Sequence, residues 1–169
     1  MTLRLILSRH AKSEWDNPLD TDHERPLNKR GKRAAPLIGR WLVGKGHIPQ
    51  EALVSDASRT RETWALLSGE FPAPVPVRFE PALYLAGPDV MQRCLATAKA
   101  PCVMMIGHNP GIAAFAEMLL ETPVAHPGFA RYPTCATLVA EFEAESWTEL
   151  RPGSGRALDF IVPRELDQS

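Results

Sequence analysis

Short apolar runs that alternate with stretches of helical periodicity constrain this chain more than any other feature. Residues 3–7 form the first run, Leu3-Arg4-Leu5-Ile6-Leu7, apolar enough for a strand covered on both faces. Over 28–44 the apolar positions Ala34, Leu37, Ile38, Trp41 and Leu42 share one helical face, closed by Gly44 and Gly46. A second run at 52–55 leads into a helix carrying Thr63, Trp64, Leu66 and Leu67. A third at 77–79 precedes a helix over 89–98, with Val90, Cys94 and Leu95 turned inward. The clearest buried strand, 102–106, is followed by a helix over 112–120. Two closing strands, 136–142 and 157–162, flank a turn containing Trp147. This order predicts a three-layer α/β/α sandwich with a mostly parallel central sheet. The ladder Pro72, Pro74, Pro76 is too short for a domain linker, so residues 1–169 read as one domain.

Charge narrows the function. Residues 1–62 hold 12 basic and 8 acidic side chains (+4), and residues 63–169 hold 7 and 12 (−5), which sum to −1. So balanced a total argues against a nucleic-acid coat or a membrane-surface protein, but not against a local anion site in the basic half. Cys94, Cys102 and Cys135 are odd in number and lack CxxC spacing, which fits reduced thiols and argues against structural zinc. The opening run is broken by Arg4 and Arg9 and reads neither as a signal peptide nor as a membrane span. A cytoplasmic protein is expected.

Ligands of open α/β sheets collect beyond the carboxyl ends of the strands. Three such ends carry basic groups: Arg9 and His10 after the first, Arg59 after the second, and His108 after 102–106. With parallel strands all four meet at one rim. Two guanidiniums and two imidazoles there suit a tetrahedral phosphoryl group, since the arginine fork binds phosphate oxygens in pairs. The helix opening near Gly111 adds free backbone N–H groups.

The phrases around these residues are recognisable. Leu7-Ser8-Arg9-His10-Ala11-Lys12-Ser13 and Arg25-Pro26-Leu27-Asn28-Lys29-Arg30-Gly31 come first, then Val54-Ser55-Asp56-Ala57-Ser58-Arg59-Thr60-Arg61-Glu62-Thr63 and Ile106-Gly107-His108-Asn109-Pro110-Gly111. Together they resemble the histidine phosphatase (phosphoglycerate mutase-like) superfamily, and most of all its short SixA-type phosphohistidine phosphatases. The resemblance implies that His10 is the nucleophile, forming a phosphohistidine intermediate. Arg9, Arg59 and His108 would hold the phosphoryl oxygens, with no metal and no cofactor. Ser13 and Asn17 are further candidates for phosphate hydrogen bonds, and Arg25 reads as a loop anchor.

Three positions depart from the family pattern. Ala11 stands where many relatives have glycine, and Asp56 where proline is frequent. The glutamate that relatives acting on sugar phosphates carry after the third strand is missing, Leu83-Tyr84-Leu85-Ala86-Gly87 filling that region. Glu80 is the nearest carboxylate and reads as a solvated strand-end charge. An alkoxide leaving group needs a positioned acid, whereas a departing imidazole is a far weaker base. The expected substrate is therefore phosphohistidine on a protein, met by a monomer or weak dimer. The competing readings are a general small-molecule phosphomonoesterase using the same His10, and a non-catalytic phosphate or phosphohistidine binder. Other chemistries find no footing: no cysteine is followed by Cys-x5-Arg spacing, and Asp20-Thr21-Asp22 follows no strand and reads as loop. His23, His47 and His126 share no ligand spacing and read as surface or loop residues.

Overall fold

The computed structural model describes residues 1–167. Six strands form one sheet: β1 (Thr2–Arg9), β2 (Glu51–Ser55), β3 (Val77–Glu80), β4 (Cys102–Gly107), β5 (Thr137–Glu143) and β6 (Arg156–Ile161). The helices are α1 (Lys29–Lys45), α2 (Ser58–Ser68), α3 (Pro88–Leu95) and α4 (Gly111–Leu119). The strand order is β3-β2-β4-β1-β5-β6. Pairings β3–β2, β2–β4 and β4–β1 are parallel, while β1–β5 and β5–β6 are antiparallel. The sheet is thus mixed, with β5 alone reversed among the described strands. Its four parallel strands deliver their carboxyl ends to one rim, as the alternation predicted.

Two apolar layers follow from the period-2 geometry of the strands. Leu5, Leu7, Val103 and Met105 face one side with Met91, Leu95, Ile112, Phe115 and Leu119, that is, α3 and α4. Ile6, Met104 and Ile106 face the other with Ala35, Ile38, Leu42, Trp64 and Leu67 of α1 and α2. Ile112, Phe115, Ala116 and Leu119 are all fully buried, at the i, i+3, i+4, i+7 spacing of a single helix face.

In α1 the buried stripe is Gly31, Ala35, Ile38, Gly39 and Leu42. It is rotated by about one residue from the apolar stripe expected, because two of its members are glycines that a count of apolar side chains misses. A Cβ on Gly39 would lie 2.3 Å from the Leu67 carbonyl oxygen, so only glycine lets α1 approach α2 this closely. Asn28 caps α1 by accepting from the Gly31 N–H at 2.9 Å, and Gly46 ends it in the left-handed conformation. The helix therefore passes through Gly44 rather than stopping there.

Candidate active site

The rim above β1, β4 and β2 holds a cavity of about 350 Å³, lined by Arg9, His10, Ser13, Asp22, Arg25, Arg59 and His108 among others. A larger depression of about 630 Å³ lies between Glu143, Thr148, Glu149 and Arg151, but its polar lining is exposed. Of these two, the rim cavity is the one that gathers buried basic groups.

His10 follows β1 directly, and its backbone is pinned on both sides. Its N–H donates to Gly107 O at 3.1 Å, and its carbonyl accepts from the Cys135 N–H at 2.9 Å. Its ring Nδ1 lies 2.7 Å from the carbonyl oxygen of Ala11. A carbonyl only accepts, so Nδ1 carries the proton and Nε2 keeps its lone pair. Burial, joined by the guanidiniums of Arg59, Arg9 and Arg25, lowers the His10 pKa to about 3 against the Ala11 hydrogen bond. The ring is thus neutral at neutral pH, with the Nε2 lone pair left uncommitted. Ala11 is buried, and its N–H donates to Thr63 Oγ1 at 3.0 Å. Its φ is not positive, so alanine replaces the common glycine without strain.

His108 follows β4, and its Nε2 meets Ser55 Oγ at 2.7 Å. Burial, then His10 and the arginines, bring its pKa down to about 3 against the pull of Asp22. The His10 and His108 rings lie 5.3 Å apart. Three buried donors or acceptors of this site have no hydrogen-bond partner: Arg9 Nε, Arg59 Nε and His108 Nδ1. Buried polar atoms are seldom left bare, and three around one cavity mark a place where an anion would supply the missing acceptors.

Arg9 donates through Nη1 to Tyr132 O at 3.2 Å, and burial and Arg59 both lower its pKa. The Asn109 side-chain amide donates to the same Tyr132 carbonyl at 3.1 Å, and Tyr132 Oη donates to Leu7 O at 2.5 Å. The segment before β5 therefore braces the ends of both β1 and β4. Gly111 opens α4 where a Cβ would sit 1.8 Å from Ala86 O, so the Tyr84–Gly87 wall closes directly onto that helix start.

The remaining sequence candidates divide. Ser13 lies in the cavity wall, accepting from Arg25 Nη1 at 2.6 Å. Asn17 does not join it. Its side chain stays in an exposed turn, accepting from the Leu19 N–H at 3.0 Å and reaching Asp20 at 3.4 Å, a local use typical of asparagine in loops. Arg25 anchors the loop as expected but also lines the cavity. Glu80 pairs with Arg78 at 3.5 Å and is absent from the cavity wall. Asp56 holds His23 at 2.9 Å.

Two expectations need correction. His47 is buried, with Nδ1 at 3.2 Å from Arg4 Nη1 and Nε2 at 2.7 Å from Asp159 Oδ2, because the start of β1 and β6 close over it. His126, by contrast, is a half-buried loop residue as expected, 2.9 Å from Glu165. Asp22 reads as plain loop in the sequence, and it does sit in a one-turn 3₁₀ segment, Asp22–Glu24. Yet its carboxylate enters the cavity, accepting from Arg25 Nη2 at 2.9 Å, Arg59 Nη2 at 3.1 Å and the Tyr84 hydroxyl. The Tyr84 hydrogen bond, with Arg25 and Arg59, holds it well below the ordinary carboxylate range, so it is anionic and unsuited to donate a proton. Only its spacing three residues before Arg25 could have signalled this pairing. Among the described residues no cluster of three or more His, Cys, Asp or Glu side chains could hold a metal ion.

Residues 5–84 match the model of the histidine phosphatase superfamily, branch 1. An uncharacterised chloroplastic protein of Arabidopsis thaliana is 33% identical over 95% of this chain and 78% of its own length. An uncharacterised protein of Mycobacterium tuberculosis is 31% identical over 92% of this chain and 99% of its own. The solved structure assigned as phosphohistidine phosphatase SixA of Nakamurella multipartitia superposes with a TM-score of 0.81 at 26% identity, covering 96% of this chain and 97% of that one. Fold, rim and motifs agree, and the chain belongs to the histidine phosphatase superfamily as a phosphatase of SixA-type architecture.

Proposed function

We propose that the protein removes the phosphoryl group of a phosphohistidine on another protein, through a covalent phospho-His10 intermediate and without a metal ion. The observation that carries this reading is the state of His10: neutral, Nδ1 tied to Ala11 O, Nε2 free, beside three unpartnered buried polar atoms. Nε2 attacks phosphorus as the bond to the substrate nitrogen breaks, and that bond's electron pair stays on the departing imidazole. Arg9, Arg59 and His108 take the equatorial oxygens, supplying the charge stabilisation and positioning on which phosphoryl transfer depends. Water then attacks phospho-His10. The P–N electrons return to Nε2, the water's protons leave with phosphate, and His10 regains its starting form.

The missing acid supports a nitrogen leaving group. Glu80 is not part of the cavity wall and pairs with Arg78, and Asp22 is held ionised. A protein substrate also suits the open rim, where Trp15 and Leu85 are exposed at the cavity mouth. The test is acid-labile labelling: a rapid quench during turnover of a histidine-phosphorylated peptide should trap phosphate on His10, and turnover should persist in excess chelator. An unlabelled His10 during turnover, or activity abolished by chelator and restored by metal, overturns the scheme.

A further inference from the structure

Asp22 is an odd residue to find in a pocket for anions. Its charged neighbours there are cationic: Arg25 from its own loop, Arg59 from α2, and Arg9 and Lys12 around the cavity; the neutral rings of His10 and His108 and the Tyr84 hydroxyl from the segment after β3 complete the surroundings. The side chains of Arg25 and Arg59 are 9% and 3% exposed, whereas that of Asp22 is 44% exposed. The carboxylate therefore rests on the open side of the arginines it binds. It shares the cavity wall with His10, so a substrate whose phosphoryl group reaches His10 lies beside it. The arginines outnumber it, so the phosphoryl group is still attracted. What Asp22 meets is the part of the substrate outside the arginine cluster, the leaving group.

We propose that Asp22 is a specificity-determining residue, its fixed negative charge favouring a leaving group that bears positive charge and rejecting one that bears a second anion. This rests on the phosphohistidine reading. A phosphohistidine ring protonated on its second nitrogen is cationic. When its P–N bond breaks, the electron pair neutralises the ring and the proton stays where it was, so the ring departs as neutral imidazole with no acid acting on the departing atom. A carboxylate beside the ring keeps that second nitrogen protonated, as an opposite charge nearby does for any base. It thereby takes over, through charge alone, the task a proton-donating acid performs for alkoxides. Phosphates carrying a neighbouring carboxylate meet repulsion at the same place.

The test compares kcat/KM for a peptide phosphorylated on histidine with that for an aryl phosphate bearing a carboxylate beside the phosphate. In Asp22→Asn the ratio should fall by at least about tenfold in favour of the anionic ester, the size expected for an opposite charge at close range. The alkaline limb of kcat on the phosphopeptide should also move to lower pH, because the bound ring then loses its proton more readily. Asp22→Glu keeps the charge and should hold the ratio near wild type even where its absolute rates drop. Equal losses on both substrates in Asp22→Asn, with an unmoved pH limb, would reduce Asp22 to an arginine holder and overturn the proposal. Wild-type protein that hydrolyses the ester but releases no phosphate from the phosphopeptide would instead defeat the underlying functional reading.

Discussion

Strand β1 ends in a buried histidine site at either extremity, and the two are built oppositely. Near its start, His47 spends both ring nitrogens on side chains, Arg4 on one and Asp159 on the other. Arginine only donates, so Nδ1 accepts and Nε2 donates, and no lone pair or proton is left over. At its end, His10 commits one nitrogen to a backbone carbonyl and keeps the other. Its companion His108 likewise binds Ser55 through one nitrogen and leaves the second bare. Burial alone does not separate these sites, since all three histidines are buried. Hydrogen-bond capacity left unused does. A saturated histidine ties strands together, and an unsaturated one among arginines is set up for chemistry.

Replacement is the strongest way to break this contrast. His10→Ala should lower turnover by about 10⁴-fold or more, as loss of a covalent nucleophile does elsewhere, while the protein stays folded. His47→Ala should do the reverse. It strands Arg4 and Asp159 without their shared partner, and stability should drop by about 1–3 kcal/mol while kcat/KM stays within about threefold of wild type. Steady-state kinetics beside denaturant unfolding reads both. A His47 variant with lost activity and unchanged stability would erase the distinction.

Acid gives the next largest effect. His10 and His108 each have a pKa near 3, against about 6.5 in an unfolded chain. Below 6.5 the unfolded chain takes up protons that the folded site refuses, so stability is intact above that value and is lost as pH falls toward 3. One such histidine costs about 1.4 kcal/mol per pH unit through this window. Wild type should therefore lose stability faster than His10→Ala between pH 6.5 and 4.5, as followed by urea unfolding. Activity should not show an acid limb near 6.5 from His10, because its Nε2 stays unprotonated well below that pH. Parallel stability curves, or a kcat/KM limb at 6.5 that vanishes in no other variant, would mean that the ring is charged in the folded protein.

Much of this contrast was legible in the sequence, and the illegible part has a physical cause. Arg9, His10, Arg59 and His108 stand next to apolar strands whose direction the alternation fixes, so their meeting at one rim followed from topology. His47 and Asp22 could not be read this way. His47 finds Asp159 across 112 residues, and Asp22 finds Arg59 across 37 and Tyr84 across 62, with no periodic pattern to join them. The face of α1 slipped by one residue for a related reason. Its closest contacts are made by Gly31 and Gly39, whose contribution is the absence of a side chain.

The smallest expected effect sharpens the same rule at the level of loops. Ser13 and Asn17 look equivalent in the sequence, two small polar residues just past His10. Ser13 is buried and takes its hydrogen bond from Arg25, which itself lines the cavity, so its hydroxyl fixes one of the pocket's cations. Asn17 uses its carbonyl oxygen on the Leu19 N–H in an exposed turn, where water can replace that bond at little cost. Ser13→Ala should raise KM by a few-fold, in line with about 1 kcal/mol for one buried hydrogen bond, with kcat less affected. Asn17→Ala should leave KM and kcat unchanged and stability within about 0.5 kcal/mol. If Asn17→Ala raised KM as much as Ser13→Ala, its turn would have to close over bound substrate. Hydrogen bonds already made in the free protein would then no longer separate the residues that serve the site from those that only shape the chain.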